Sequence, residues 1–428
     1  MNLTIETLIE GRWHQAALLE FTEPDKGPAG ACAFEYDFDY LREWIGKETP
    51  LAAVSLRLPV EFGPRMGRRW PSFLDDIRPL GSGRRWWLRR LNLRDETASE
   101  PQVLRHGTIA PIGNLRIQEA VPPKQGPAPR FARHAVILRQ QEFLEYAAEV
   151  GAQVGGATGA GGDSPKLLLR QDDAQQVWID AWQDEPANPD RYFLVKFARG
   201  NTERDRLILR SEYVYYRALH ELGVDTIPVD GMSLEHGPNG PSLWLPRFDV
   251  SRRDGLEVRY GLESIYSLLE SQPGASLTHQ DVIAALQCFI TTRDWREVLL
   301  EYLKRDLLNL VFGNSDNHGR NIALLKTTDA VRLAPVFDFA PMKMDPEGVT
   351  RTTRWREFEV GGTVDWPALL TSFGRDEAFL REGLRELALR LKDLPELLST
   401  LGLPIETLTF EPLGLRDTEK KLRRWTLL

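Results

Sequence analysis

The sequence predicts an α+β protein built of two unequal lobes, the first strand-rich and the second mostly helical, with a separate α+β module ahead of both. Three observations carry that expectation. Apolar runs of strand length cluster between residues 167 and 197, and amphipathic helical patterns dominate beyond residue 249. A Pro/Gly-rich stretch, Pro122–Pro129, marks a linker behind the opening module. The expected divisions are 1–130, 131–248 and 249–428. A chain of 428 residues suits two or three domains, and 42% hydrophobic with 27% charged residues excludes disordered, collagenous and coiled-coil classes.

Leu3 to about Asp95 mixes short strand-like runs with turns, and Ala33–Phe38 alternates aromatic and acidic residues with period two. Between Arg65 and Arg94 stand nine arginines against two acids, Asp75 and Asp76, interleaved with Trp70, Trp86 and Trp87. Two readings fit: an arginine-rich helical face stacked on its own tryptophans, or a surface for phosphate, nucleic acid or a partner protein. Phe131–Ala152 predicts a helix. Gly151–Gly162 holds six glycines in twelve residues, and Asp163-Ser164-Pro165-Lys166 then leads into the strand Leu167–Leu169. A strand at Tyr192–Phe197, a helix at Arg206–Leu222 and a strand at Leu243–Leu245 follow. Thr278 with Asp281 forms a capping signal ahead of an apolar run, and Trp295–Phe312 is amphipathic. There is no internal repeat.

Lysine plus arginine number 54 against 62 acids, a net charge of −8, which argues against wholesale adhesion to polyanions while leaving room for a local basic patch. Cys32 and Cys288 alone support neither a disulfide framework nor a cysteine zinc site. Met1–Gly11 lacks the basic and apolar regions of a signal peptide, and no run of 18 apolar residues occurs. The expected location is the cytoplasm, with no membrane partner.

The residues that carry chemistry occur in a fixed order. Glycine lets backbone N–H groups approach phosphate oxygens without a Cβ in the way, so Gly159, Gly161 and Gly162 are candidates to cover a nucleotide; the stretch is neither a Walker A loop nor a dinucleotide fingerprint, and a plain surface loop is the alternative. Lys196 sits inside the apolar run Tyr192–Phe197, where an unpaired ammonium is costly. A nucleotide phosphate and the carboxylate of Glu212 on the next helix are its candidate partners, and an edge strand opening to solvent is the alternative. Gly313–Asn321 packs polar groups between Leu310-Val311-Phe312 and Ile322–Leu325, a loop held by rigid elements. Asp316 and Asn321 lie five apart, the separation of base aspartate and metal-binding asparagine in a kinase catalytic loop. Asp316 would orient an attacking hydroxyl and accept its proton, while the neutral Asn321 carbonyl would ligate Mg²⁺. His318 either braces this loop or moves a proton. Seventeen residues beyond Asn321, Asp338 ends the apolar run Leu333–Phe337 and precedes Phe339, the setting of a second metal ligand.

Taken together these segments resemble the HipA family of bacterial serine/threonine kinases, toxins of type II toxin–antitoxin modules, over most of the chain. That family's loop, Asp-x-His-x-(Lys/Arg)-Asn, is filled in register by Asp316, His318, Arg320 and Asn321. The resemblance places the nucleotide lysine at Lys196, the second metal ligand at Asp338, and the interlobe hinge at Arg247-Phe248-Asp249, with Val250 replacing the family's final arginine. Phe34–Asp37 and Phe73–Gly81 resemble the family's N-terminal subdomain. It further implies ATP and Mg²⁺ as cofactors, a protein substrate such as an aminoacyl-tRNA synthetase or other translation factor, and a separate HipB-like helix-turn-helix antitoxin that reads DNA, since no such motif opens this chain. The family's autophosphorylated serine has no direct counterpart; Thr158 and Ser164 are the candidates, and absence of such autoinhibition is the alternative. Two rivals remain: a small-molecule phosphotransferase, whose loops more often place His before the Asp, and a pseudokinase acting through the Arg65–Arg94 surface.

Overall fold

A computed structural model describes residues 1–124, 126–150, 165–291 and 294–428. Alternation organises its first layer. In β3 (Cys32–Tyr36), Cys32, Phe34 and Tyr36 turn inward and Glu35 outward. With β1 (Asn2–Ile9), β2 (Arg12–Phe21), β4 (Arg65–Gly67) and β5 (Leu115–Ile117) it forms an antiparallel sheet in the order β4-β3-β2-β1-β5. Helix α1 (Phe38–Trp44) is capped by Asp37, whose Oδ1 accepts the Asp39 and Tyr40 amides. Helices α2 (Leu74–Ile77), α3 (Gly81–Arg90) and α4 (Glu100–Gly107) complete the module.

The arginine-rich stretch is partly tied into its own module, while Arg68, Arg85, Arg89, Arg90 and Arg94 stay exposed. Arg78 pairs with Asp75 and Glu100, Arg84 with Glu100 and Asp95, and Arg65 with Glu61. Arg78 lies over the Trp70 ring and Arg90 over Trp86, as the self-stacking reading expects.

The second sheet runs β10-β11-β9-β7-β8-β6, from β6 (Phe131–Ala132), β7 (Lys166–Gln171), β8 (Gln176–Trp178), β9 (Arg191–Phe197), β10 (Ser233–Gly237) and β11 (Gly240–Pro246). The single helix expected over 131–152 is instead β6 followed by α5 (Arg133–Ile137) and α6 (Gln141–Glu149). Arg139 adopts φ +52°, which no helix accommodates, and Phe131 is drawn into the sheet opposite Val177. Period two then sorts the faces. Leu167, Leu169, Phe193 and Val195 join Phe143 of α6 in one core. Leu168 and Leu194 face α7 (Glu203–Glu221), and Lys166 and Lys196 share their parity. Strand β9 is interior, so the edge-strand alternative for Lys196 fails.

The second lobe is mostly helical but threaded by short strands. After hairpin β12 (Val250–Arg253) and β13 (Leu256–Arg259), strand β14 (Gly261–Ser264) runs into α8 (Ile265–Leu268). Next come β15 (Leu277–Thr278) and α9 (His279–Phe289), capped by Thr278 with Asp281 as expected. Helix α10 spans Trp295–Phe312 and stops at Gly313, φ +72°, where a Cβ would come within 2.4 Å of Leu413. Strands β16 (Ala323–Lys326) and β17 (Val331–Leu333) join β14, and β18 (Thr353–Arg354) pairs in parallel with β15. Helices α11 (Trp366–Ser372), α12 (Glu377–Leu391) and α13 (Leu394–Thr400) close the core around α10. No helix among the described residues is long and apolar enough to cross a membrane.

The N-terminal module is wired to the second lobe by buried polar bonds. Glu263 accepts the Ser55 hydroxyl at 2.6 Å and the Leu56 amide at 2.8 Å, and Lys326 donates to the Ala53 carbonyl at 2.7 Å.

Candidate active site

Helix α7 and strand β9 meet at Lys196. Its side chain is 3% exposed, and Nζ donates to Glu212 Oε1 at 2.6 Å and to Asp338. Burial opposes the ammonium charge, but Asp338 and Glu212 overcome it and raise its pKa well above the ordinary lysine value. Lys166 stands opposite Lys196 in the β7–β9 ladder, with Nζ 3.8 Å from the other Asp338 oxygen. Burial lowers its pKa despite Asp338. Burial likewise works against the Asp338 carboxylate, yet the two lysines hold its pKa below the usual range.

Asp338 follows Phe337, adopts φ +53°, and is succeeded by Phe339, whose amide donates to the Tyr216 hydroxyl at 3.2 Å. Tyr216 in turn donates to Glu212 Oε1 at 3.0 Å, so one hydroxyl ties α7 to the segment carrying Asp338. Phe339 rests against Tyr215 and Phe312, the last residue of α10.

The loop from Gly313 to Asn321 links α10 to β16. Asn314 Oδ1 accepts the Asp316 amide, and Asn321 Nδ2 donates to the Asp316 carbonyl at 2.8 Å, so the two ends of the loop are tied together. His318 Nε2 lies 3.4 Å from Asp316 Oδ1 with its ring stacked on Tyr266. Burial raises the Asp316 pKa, with the nearby His318 opposing and Asp338 reinforcing. Asn317 holds the following segment: its Oδ1 accepts the Thr352 and Thr353 amides and its Nδ2 donates to the Thr353 carbonyl.

A cavity of about 70 Å³, opening to solvent, is lined by Lys166, Lys196, Glu212, Asp316, Asp338 and Asp345. A neighbouring small apolar one of about 20 Å³, lined by Leu194, Leu245, Phe248, Phe337 and, from the N-terminal module, Ile112, shares Lys196 and Asp338 with it. Arg247 borders the apolar cavity, bonded to Asp249 through Nε at 2.9 Å and Nη2 at 2.5 Å; Asp249 also accepts the Gly113 amide at 2.7 Å.

Among the described residues, neither Asn321 Oδ1 nor Asp338 Oδ2 accepts a hydrogen bond, although both atoms are buried. The Asp338 oxygen beside two ammonium groups, and the Asn321 oxygen in an adjoining cavity shared with Asp316, Phe337 and Phe339, are acceptors of the kind a hard divalent cation carrying phosphates takes. The described residues hold no cluster of three or more His, Cys, Asp or Glu suited to a metal.

Of the residues singled out in the sequence, Lys196, Glu212, Asp316 and Asp338 line one cavity, Asn321 lines a second that shares Asp316, His318 lies 3.4 Å from Asp316, and Arg247 lies at the apolar one. Thr158, Gly159, Gly161, Gly162 and Ser164 lie outside the described residues. Sequence reasoning passed over Lys166, Tyr216 and Ile112. Lys166 opens an apolar strand much as Lys196 interrupts one, and Tyr216 is one helical turn from Glu212, so both carried a signal.

Residues 158–394 match the family model described as the HipA-like C-terminal domain. The chain is 25% identical over 342 residues to the putative kinase Y4mE of Sinorhizobium fredii, covering 76% of this chain and 75% of that protein. In fold it is similar to HipA of Shewanella oneidensis MR-1, solved with HipB and operator DNA, at a TM-score of 0.69 and 15% identity over 99% of this chain and 97% of the other.

Proposed function

This chain belongs to the family of the HipA-like C-terminal domain, and on that premise we propose that it is an ATP-dependent protein kinase acting on serine or threonine hydroxyls. The observation that carries the reading is the convergence of Lys196, Glu212 and Asp338 around one cavity that Asp316 also lines, with an orphaned Asp338 oxygen among them. Asn321 and Asp338 would hold Mg²⁺, which when bound neutralises charge on the transferring phosphates. Lys196 supplies a permanent cation for the phosphates, and Glu212 fixes its direction. The base would lie against the apolar surface of Phe248 and Phe337, with Ile112 on one side. Asp316, its pKa raised by burial, orients the attacking hydroxyl and accepts its proton. His318 steadies Asp316 from 3.4 Å. Placement and charge thus provide the catalysis.

The likeness to the Shewanella HipA supports a role as a growth-arresting toxin held by a separate HipB-like antitoxin. A cytosolic translation factor is the proposed substrate class. Thr158 and Ser164 remain the proposed sites of self-modification. Incubating the protein with labelled ATP and a bacterial lysate tests this. Label on protein bands supports the reading, and label confined to small molecules, or none at all, defeats it.

A further inference from the structure

The N-terminal module meets the loop of Asp316 and Asn321 at a buried charge. Asp76 on α2 is 5% exposed and Arg320 is 4% exposed. One Asp76 oxygen accepts the Ser264 amide at 2.8 Å, and the other faces Arg320 Nε at 3.9 Å. Arg320 Nη2 donates to the carbonyl of Asp75 at 3.0 Å. Ser264 caps α8, and the two amides that follow it grip the loop: Ile265 N donates to the Ile322 carbonyl at 2.9 Å and Tyr266 N to the Gly319 carbonyl at 3.3 Å.

A single carboxyl group, its pKa pushed up to about 7 by burial against the pull of Arg320, therefore bonds the backbone that brackets residues 319–322 and faces, without a hydrogen bond, the cation inside the bracket. The bracket leaves no slack. A Cβ at Gly319 would lie 2.6 Å from Leu277 Cδ1 and 2.9 Å from the Tyr266 ring. Removing two charges from water is a poor source of net stability, but such a pair imposes a geometry. Arg320 stands next to Asn321 and two residues from His318, so any shift of its guanidinium is felt where the reacting groups are placed.

We propose that Asp76 is a positioning residue for phosphoryl transfer, holding Asp316 and Asn321 in place through Arg320 and Ser264, so that turnover by the C-terminal lobes depends on the N-terminal module. The inference rests on the kinase reading above. It assigns the acidic pair inside the arginine-rich stretch a task that neither reading of that stretch had supplied.

The full chain carrying Asp76→Asn keeps an acceptor for Ser264 and loses the charge that faces Arg320. Its rate of label transfer from ATP to itself and to lysate protein is expected to fall roughly 10- to 100-fold, with affinity for a fluorescent ATP analogue within about twofold of the unaltered protein. Hydrogen exchange of peptides covering 313–325 should quicken, while β7 and β9 stay as protected as before. Arg320→Lys should retain more transfer than Arg320→Gln, and it keeps the test open if Asp76→Asn fails to fold. Unchanged transfer with unchanged loop exchange, equal losses in the two Arg320 variants, or a parallel fall in transfer, nucleotide affinity and melting temperature would each overturn the proposal. Should the unaltered protein transfer no label, the kinase reading fails by itself, and exchange in 313–325 still decides whether Asp76 holds the loop.

Discussion

Lys166 and Lys196 stand opposite one another on adjacent antiparallel strands, and both ammonium groups approach the two oxygens of Asp338. Neighbouring cations at that depth repel unless an anion lies between them, so the carboxylate is part of what makes the strand pairing tolerable. Lys196 has a second carboxylate in Glu212, whereas Lys166 has its pKa lowered by burial. The two lysines are thus unequal, one with its charge reinforced by its carboxylates and the other with its pKa lowered by burial.

Replacing Lys196 with methionine leaves Glu212 and Asp338 in a buried site without their shared cation. Urea unfolding should show a loss of about 3 kcal/mol or more, and nucleotide binding should vanish in the same variant. Lys166→Met removes a more distant partner and should cost less stability while still weakening binding of a nucleotide triphosphate. Equal stability losses would contradict the inequality of the two sites.

Asp316→Asn keeps the amide that bonds to Asn314 and the carbonyl that bonds to Asn321, so the loop should hold its shape. Label transfer should drop by roughly 10²- to 10⁴-fold, the range expected for loss of a general base, with nucleotide affinity little changed. Growth arrest on expression, if it comes from phosphoryl transfer, should disappear with it.

Asn317→Ala leaves the Thr352 and Thr353 amides without their shared acceptor, one that is 2% exposed. The expected cost is about 2 kcal/mol in chemical unfolding, with faster proteolysis near residue 353. Nucleotide affinity should fall less than in the Lys196 variant, because Asn317 lies outside the cavity of Lys166 and Lys196 and shares its own with Asp316 and Asn321.

His279 gives the fold an acid limit. Its ring stacks on Trp355, and Nδ1 lies 2.6 Å from the Tyr302 hydroxyl. Burial, only partly offset by Asp306, pushes its pKa down to about 4 from 6.5. Below pH 6.5 the unfolded chain binds a proton that the folded one refuses until about pH 4. Stability is therefore full above that window and falls as the pH drops through it, by about 3 kcal/mol for this group. Thermal melts on either side of the window check the slope, which His279→Gln should flatten.

Local elements were legible wherever a single periodicity ruled. Helix Trp295–Phe312 is bounded as its apolar pattern implies, and the strands around Lys196 and Leu243 follow from their apolar runs. The five-residue spacing of Asp316 and Asn321 put both on one loop. What stayed hidden depends on pairings that leave no local trace. The opposition of Lys166 and Lys196 exists only once the β7–β9 register is known, and Gly113 meets Asp249, and Asp76 meets Arg320, over separations of 136 residues and more. The break at Arg139 was illegible for a different reason. Nothing in Phe131–Ala152 forbids a helix, and it is the edge of a sheet formed later in the chain that pulls Phe131 away.

The left-handed backbone at Asp338 narrows the choice of a harmless version of this protein for use in living cells. Branched or bulky replacements there would strain the main chain as well as delete the carboxylate, and a silent phenotype could then report misfolding instead of lost chemistry. Asparagine tolerates that conformation, so Asp338→Asn is the substitution whose quiet can be trusted.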